Sequence, residues 1–146
     1  METVFKYPTL RRLTAAVYLT LPVCLTCFVS WSLLTPDPFA ILRDSSLAWL
    51  EQVSDRIIHT AVFTAISFAW FGLFPMLRRE IPPITIFALL AYSISMEAFQ
   101  AFVPGRHCCA PDAICNIAGF VFGLSAVRLI EQMLRPWQTP ANLSRS

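Results

Sequence analysis

Apolar residues fall into four long runs along the chain rather than alternating at the period of a strand, and the polar positions gather between them. The runs extend from Leu13 to Leu34, Arg56 to Leu77, Ile84 to Val103 and Ala113 to Met133. Each is close to the about 20 mostly apolar residues that one helix needs to cross a hydrocarbon core. The pattern predicts an all-α fold, an integral membrane bundle of four transmembrane helices. Punctuation supports the division. Thr35-Pro36-Asp37-Pro38 stops the first run, Pro82 and Pro83 separate the second from the third, and Pro104-Gly105 makes a tight reversal before the fourth. Leu47, Trp49, Leu50 and Val53 interleave with Ser46, Glu51 and Gln52. That spacing predicts a short amphipathic outer segment between helices one and two, with Trp49 anchored at headgroup depth. A single membrane domain, residues 13–133, is expected between an N-terminal tail, 1–12, and a polar C-terminal tail, 134–146.

Charge gives the bundle an orientation. Lys6, Arg11 and Arg12 precede helix one, Arg78 and Arg79 join helices two and three, and Arg128 and Arg135 flank the end of helix four. Basic residues in short loops mark the cytoplasmic side, so both termini are expected there. The segment from Thr35 to Asp55 carries Asp37, Asp44, Glu51 and Asp55 against Arg43, as an outward-facing loop should. A basic start before an apolar run is also the pattern of a signal peptide. This run continues through Cys24, Cys27, Phe28 and Trp31 without a small-residue cleavage site, and reads as an uncleaved anchor. A hydrophobic content of 56% and a mean hydropathy of +0.60 agree with the membrane class. The formal charge of +2 is dispersed among loops, which argues against a nucleic-acid partner.

With this topology, three helices bring polar groups to one depth near the outer face. Asp55 and His59 are four apart at the start of helix two. Glu97 and Gln100 are three apart near the end of helix three, with Ser93 one turn deeper. Asp112 and Asn116 are four apart at the start of helix four, and Arg106 lies in the turn between the last two helices. Asp55 and Asp112 each have an ordinary reading as a charge that complements a helix N-terminus. His59 alone reads as a structural histidine. Glu97 is harder to dismiss, because it stands about 9 Å along the helix from Val103 at 1.5 Å per residue, and intramembrane ionisable groups normally face a partner or cavity. Three carboxylates against Arg106 leave an excess of negative charge, so a proton on Glu97, a cation or a metal is expected to balance it. Zinc or manganese suits imidazole and carboxylate ligands, yet no HExxH or comparable spacing is present. No metal is assigned on sequence, and no cofactor is named by it. Asn116, Gly119 and Gly123 continue one stripe of helix four, with Gly119 and Gly123 forming a GxxxG that favours close helix packing. Cys24 and Cys27 read as small apolar residues of a span, whereas Cys108 and Cys109 sit in the outer loop with their redox state open.

Taken together, Asp55-x-x-x-His59, Glu97-x-x-Gln100-x-x-Val103-Pro104-Gly105-Arg106 and Asp112-x-x-x-Asn116-x-x-Gly119-x-x-x-Gly123 resemble the VanZ-like membrane proteins, over roughly Asp55 to Gly123. The prototype of that family is associated with low-level resistance to the glycopeptide teicoplanin. The resemblance implies a four-helix fold in the bacterial cytoplasmic membrane and a cell-envelope role, and it supplies no reaction. Cys108 and Cys109 depart from the small or hydroxylated residues of relatives. Two functional readings stand side by side. In one, the protein is an enzyme on a membrane lipid or lipid-linked precursor at the outer leaflet, with His59 as general base oriented by Asp55 and Glu97 as proton donor. Arg106 and Asp112 then contact substrate, and Gln100 and Asn116 orient bound groups. In the other, the same residues bind an envelope lipid or peptidoglycan precursor without chemistry. A small proton-coupled carrier is a third reading, and a homo-oligomer is compatible with each.

Overall fold

The computed structural model describes residues 8–77 and 79–134. Lys6, Arg78, Arg135 and the expected tails through residue 7 and from residue 135 lie outside the described residues. Four α-helices follow one another: α1 (Pro8–Leu33), α2 (Asp55–Met76), α3 (Pro83–Gln100) and α4 (Ala110–Leu134). Two 3-10 turns, Ala40–Leu42 and Ala48–Gln52, lie between α1 and α2, and no strand occurs among the described residues. Three helices, α2, α3 and α4, are long and apolar enough to cross a membrane, and α1 contributes a shorter apolar stretch, Tyr18–Leu33.

The helix ends differ from the apolar runs where local geometry intervenes. The third run was expected to reach Val103, but α3 stops at Gln100. Beyond it, Phe102 N–H donates to Phe99 O and Val103 N–H to Gln100 O, so the chain tightens into three-residue turns ahead of Pro104. The reversal itself is as expected: Arg106 N–H donates to Val103 O at 3.1 Å, and Gly105 takes a φ of +79°. In the α1–α2 connection, the expected amphipathic helix is only the five-residue 3-10 turn Ala48–Gln52. It is too short to bury an apolar face, and Leu47 and Trp49 are exposed. Arg43 clasps this connection, 2.8 Å from Asp37 and 3.1 Å from Glu51. Hydrogen bonding to Glu51 and the charge of Asp37 raise its guanidinium above the ordinary arginine value.

Large apolar side chains face outward, among them Ile57, Phe68, Ile84, Phe87, Phe122 and Met133. The interior combines an apolar cluster around Phe63, Ile66, Phe71 and Phe120 with buried polar residues, which among the described residues are His59, Ser67, Ser93, Glu97, Gln100 and Asn116. This distribution suits a lipid solvent, where helix association draws on close packing and hydrogen bonds rather than on burying oil from water. α4 lies against α2 through its glycines. A Cβ on Gly119 would collide with the carbonyl oxygen of Thr60, and one on Gly123 would stand 2.7 Å from Thr64 O and 2.8 Å from Phe68 N. α1 is attached by side-chain bonds: Trp70 Nε1 donates to Thr26 Oγ1 at 2.9 Å, and the Ser30 and Tyr92 hydroxyls are 2.8 Å apart. Cys24 and Cys27 are exposed on α1, and Cys108, Cys109 and Cys115 are likewise free thiols.

Candidate functional site

Successive helices alternate in direction, so the end of α1, the start of α2, the end of α3 and the start of α4 meet at one end of the bundle. Gln100 Nε2 ties the first and third of these, donating to Leu33 O at 3.1 Å. At this end His59 from α2 and Asn116 from α4 make a 2.7 Å contact, Nδ1 to Oδ1, with both residues buried. Asn116 Nδ2 in turn donates to the backbone oxygen of Ser93 on α3 at 3.0 Å.

This short relay fixes a proton. A backbone carbonyl only accepts, so the amide nitrogen of Asn116 must face Ser93 and its oxygen must face the imidazole. His59 Nδ1 therefore donates, and in the neutral ring the lone pair resides on Nε2. Asp55, expected to orient His59, does not have that role. It is the exposed first residue of α2, and Asn116 occupies the orienting position instead. Four residues along a helix share a face, but a first-turn side chain with water beside it has no reason to turn inward.

Glu97 is 2% exposed although α3 ends only three residues later, at Gln100. The connection between α3 and α4, residues 101–109, reaches back to it. Cys109 N–H donates to Glu97 Oε1 at 2.6 Å, while Oε2 is buried without a partner. Arg106, in the same connection, has a buried Nε without a partner as well. Asp112, half-buried in the first turn of α4, completes a cluster: one donor atom each from His59, Glu97 and Asp112 lie within 4.8 Å of one another. These three residues offer lone pairs at one point, and any of them can take a proton from a bound group or hold a cation.

Two expected roles are reassigned by the geometry. Gln100 and Asn116, expected to orient bound groups, spend their amides on the protein itself, Gln100 on Leu33 O and Asn116 on His59 and Ser93. The Ser93 hydroxyl donates to Leu90 O at 2.8 Å and is fully buried, so it is not set up as a nucleophile. Gly119 and Gly123 stand where α4 comes closest to the α2 backbone, on the same two helices that carry Asn116 and His59. Three backbone groups that shape the site, Ser93 O, Cys109 N–H and Leu33 O, carry no signal in the sequence, since every residue but proline has the same amide.

The model of the VanZ/LLP1 family matches residues 14–131, well over half of the 146-residue chain. No curated protein and no solved structure matches it. The match reaches beyond the Asp55–Gly123 motifs to take in most of α1. The chain belongs to the VanZ/LLP1 family.

Proposed function

We propose that this VanZ/LLP1-family membrane protein crosses the bacterial cytoplasmic membrane four times, with both termini cytoplasmic, and cleaves a bond in a lipid or lipid-linked envelope component at the outer leaflet. The observation that carries the reading is the His59–Asn116–Ser93 relay, which directs an imidazole lone pair away from Asn116 in a cluster that also holds the unpaired oxygen of Glu97. A purely structural histidine would be expected to use both ring nitrogens on its own protein. Here the bonding on one side prepares the other.

Water is the nucleophile in this reading, because the Ser93 hydroxyl is spent on Leu90 O and no hydroxyl or thiol is hydrogen-bonded to His59 among the described residues. A water at the cluster gives a proton to one of its lone pairs as the oxygen adds to the electrophilic carbon or phosphorus of the substrate. The leaving group departs with a proton returned from the cluster. The partnerless Nε of Arg106 supports a role in holding a substrate phosphate or carboxylate by charge-assisted bonds.

Envelope lipid and precursor profiles test this, with teicoplanin susceptibility as a second readout, in cells expressing the wild type, His59→Ala or Glu97→Gln at matched membrane abundance. The expected result is a lipid or precursor species consumed by the wild type alone, with its cleaved product rising. If wild type and both variants accumulate the same intact species, the protein is a binding module; if none changes the profile, the site has no envelope substrate. Topology is tested separately. A reporter fused after Arg78 is expected to read cytoplasmic and one inserted at Ser46 periplasmic, and the reverse would move the site to the inner leaflet.

A further inference from the structure

We propose that His59, Glu97 and Asp112 hold one divalent transition-metal ion, zinc or manganese, at the outer end of the bundle. The inference deepens the reading above and rests on it for the ion's use, though not for its binding. Two observations of geometry converge. Donor atoms of the three residues already lie within 4.8 Å of one another. Ligands about 2.0–2.2 Å from one tetrahedral ion stand roughly 3.4 Å apart, so small side-chain rotations close the shell. Glu97 Oε2 is buried in a 2% exposed side chain with no partner, which is an unusual and costly state for a carboxylate oxygen unless something completes it.

The surroundings are those of metal ligands as well. A ligating histidine commonly gives its other N–H to an oxygen that fixes the tautomer, and His59 Nδ1 is so engaged by Asn116, itself anchored on Ser93 O. A ligating carboxylate is commonly held through its second oxygen, and Glu97 Oε1 accepts from Cys109 N–H. Charge points the same way. Two carboxyl groups meet in a region flanked by apolar helices, where ionised carboxylates need a compensating charge, and a divalent cation supplies it while leaving Arg106 to attract an anionic substrate. One nitrogen and two carboxylate oxygens form a donor set of intermediate hardness, which zinc and manganese accept. The ligands come from three different helices, so no sequence spacing announces the site. With an ion in place, His59 is a ligand, and the proton of the attacking water passes to a carboxylate or to solvent instead.

The full-length protein in nanodiscs, stripped with chelator, would be incubated with zinc chloride or manganese chloride, separated from free ion and analysed for metal content and thermal stability. The wild type is expected to retain about one ion per chain and to melt higher with it. Glu97→Gln and the near-isosteric Asp112→Asn, at a half-buried position, are expected to weaken retention by more than the about 10–100-fold typical of losing an outer-shell partner. Cys108→Ser/Cys109→Ser should bind as the wild type does. Retention of neither ion by a folded wild type overturns the proposal, as does retention that survives Asp112→Asn but is lost with the two cysteines. A wild type that retains neither ion and still consumes its lipid overturns the metal alone. A one-ion wild type with an unchanged lipid profile supports the metal while removing the envelope reading.

Discussion

Gly123→Ala is expected to destabilise the purified protein by about 1–3 kcal/mol, the usual cost of overpacking, and to disable the site at the same time. The added methyl would stand 2.6 Å from Ser67 Cβ, 2.7 Å from Thr64 O and 2.8 Å from Phe68 N. Two of these are backbone atoms of a helix and cannot rotate away, so α2 and α4 must separate. Gly119→Ala meets the Thr60 carbonyl oxygen and Phe63 Cβ in the same manner. Because His59 rides on α2 and Asn116 on α4, a separation of even about 1 Å takes their 2.7 Å contact out of hydrogen-bonding range. Gly72→Ala is the control. A Cβ there has only Val127 Cγ2 at 4.0 Å, an ordinary contact, and alanine favours a helix interior by about 0.5–1 kcal/mol over glycine. Thermal melting and size-exclusion profiles of the three variants are the check. A wild-type melting curve for Gly123→Ala would mean that the helices are not this close.

Asn116→Leu is expected to be the most damaging change of a residue that touches no substrate. Leucine fills a similar volume but removes the bonds to His59 Nδ1 and Ser93 O. Each buried group left without a partner costs about 1–3 kcal/mol. The imidazole is then free to rotate and to place its proton on either nitrogen, so the lone pair no longer has a fixed place on the ring. Loss of such an outer-shell partner typically lowers activity or metal affinity about 10–100-fold. The envelope-lipid profile together with the melting temperature separates the two consequences, since a glutamine at this position would restore some stability without the right reach. A lipid profile that survives Asn116→Leu in a folded protein would contradict the positioning role.

The helices were legible in the sequence because lipid leaves the backbone no partner but itself, which forces long apolar runs and sharp polar breaks. Their ends were less so. The α3 end depends on how the chain prepares for Pro104, a local compromise that hydropathy does not register. For the site, equal depth on three helices was enough to bring His59, Glu97, Asp112 and Asn116 together. It could not say which of them touch. Asp55 and His59 share a face at four-residue spacing, yet the contact belongs to Asn116 on another helix, because spacing reports direction within a helix and not distance between helices. The burial of Glu97 is legible from its place near the end of the third run, but the Cys109 N–H that it accepts from the α3–α4 connection is not. The attachment of α1 carries no sequence signal either, since Thr26, Ser30, Trp70 and Tyr92 look like unremarkable apolar-run residues until they are paired.

The proton on His59 is the point from which the rest follows, and nitrogen-15 NMR reads it directly. Full-length protein labelled at its two histidines would be studied in chelator-treated lipid nanodiscs at mildly alkaline pH, with His107→Gln to assign the signals. The expected spectrum of His59 has a protonated Nδ1 and an unprotonated Nε2, and Asn116→Leu should mix the two tautomers. A proton on Nε2 in the wild type would contradict the relay, and with it the lone pair on which both the proposed chemistry and the metal site depend.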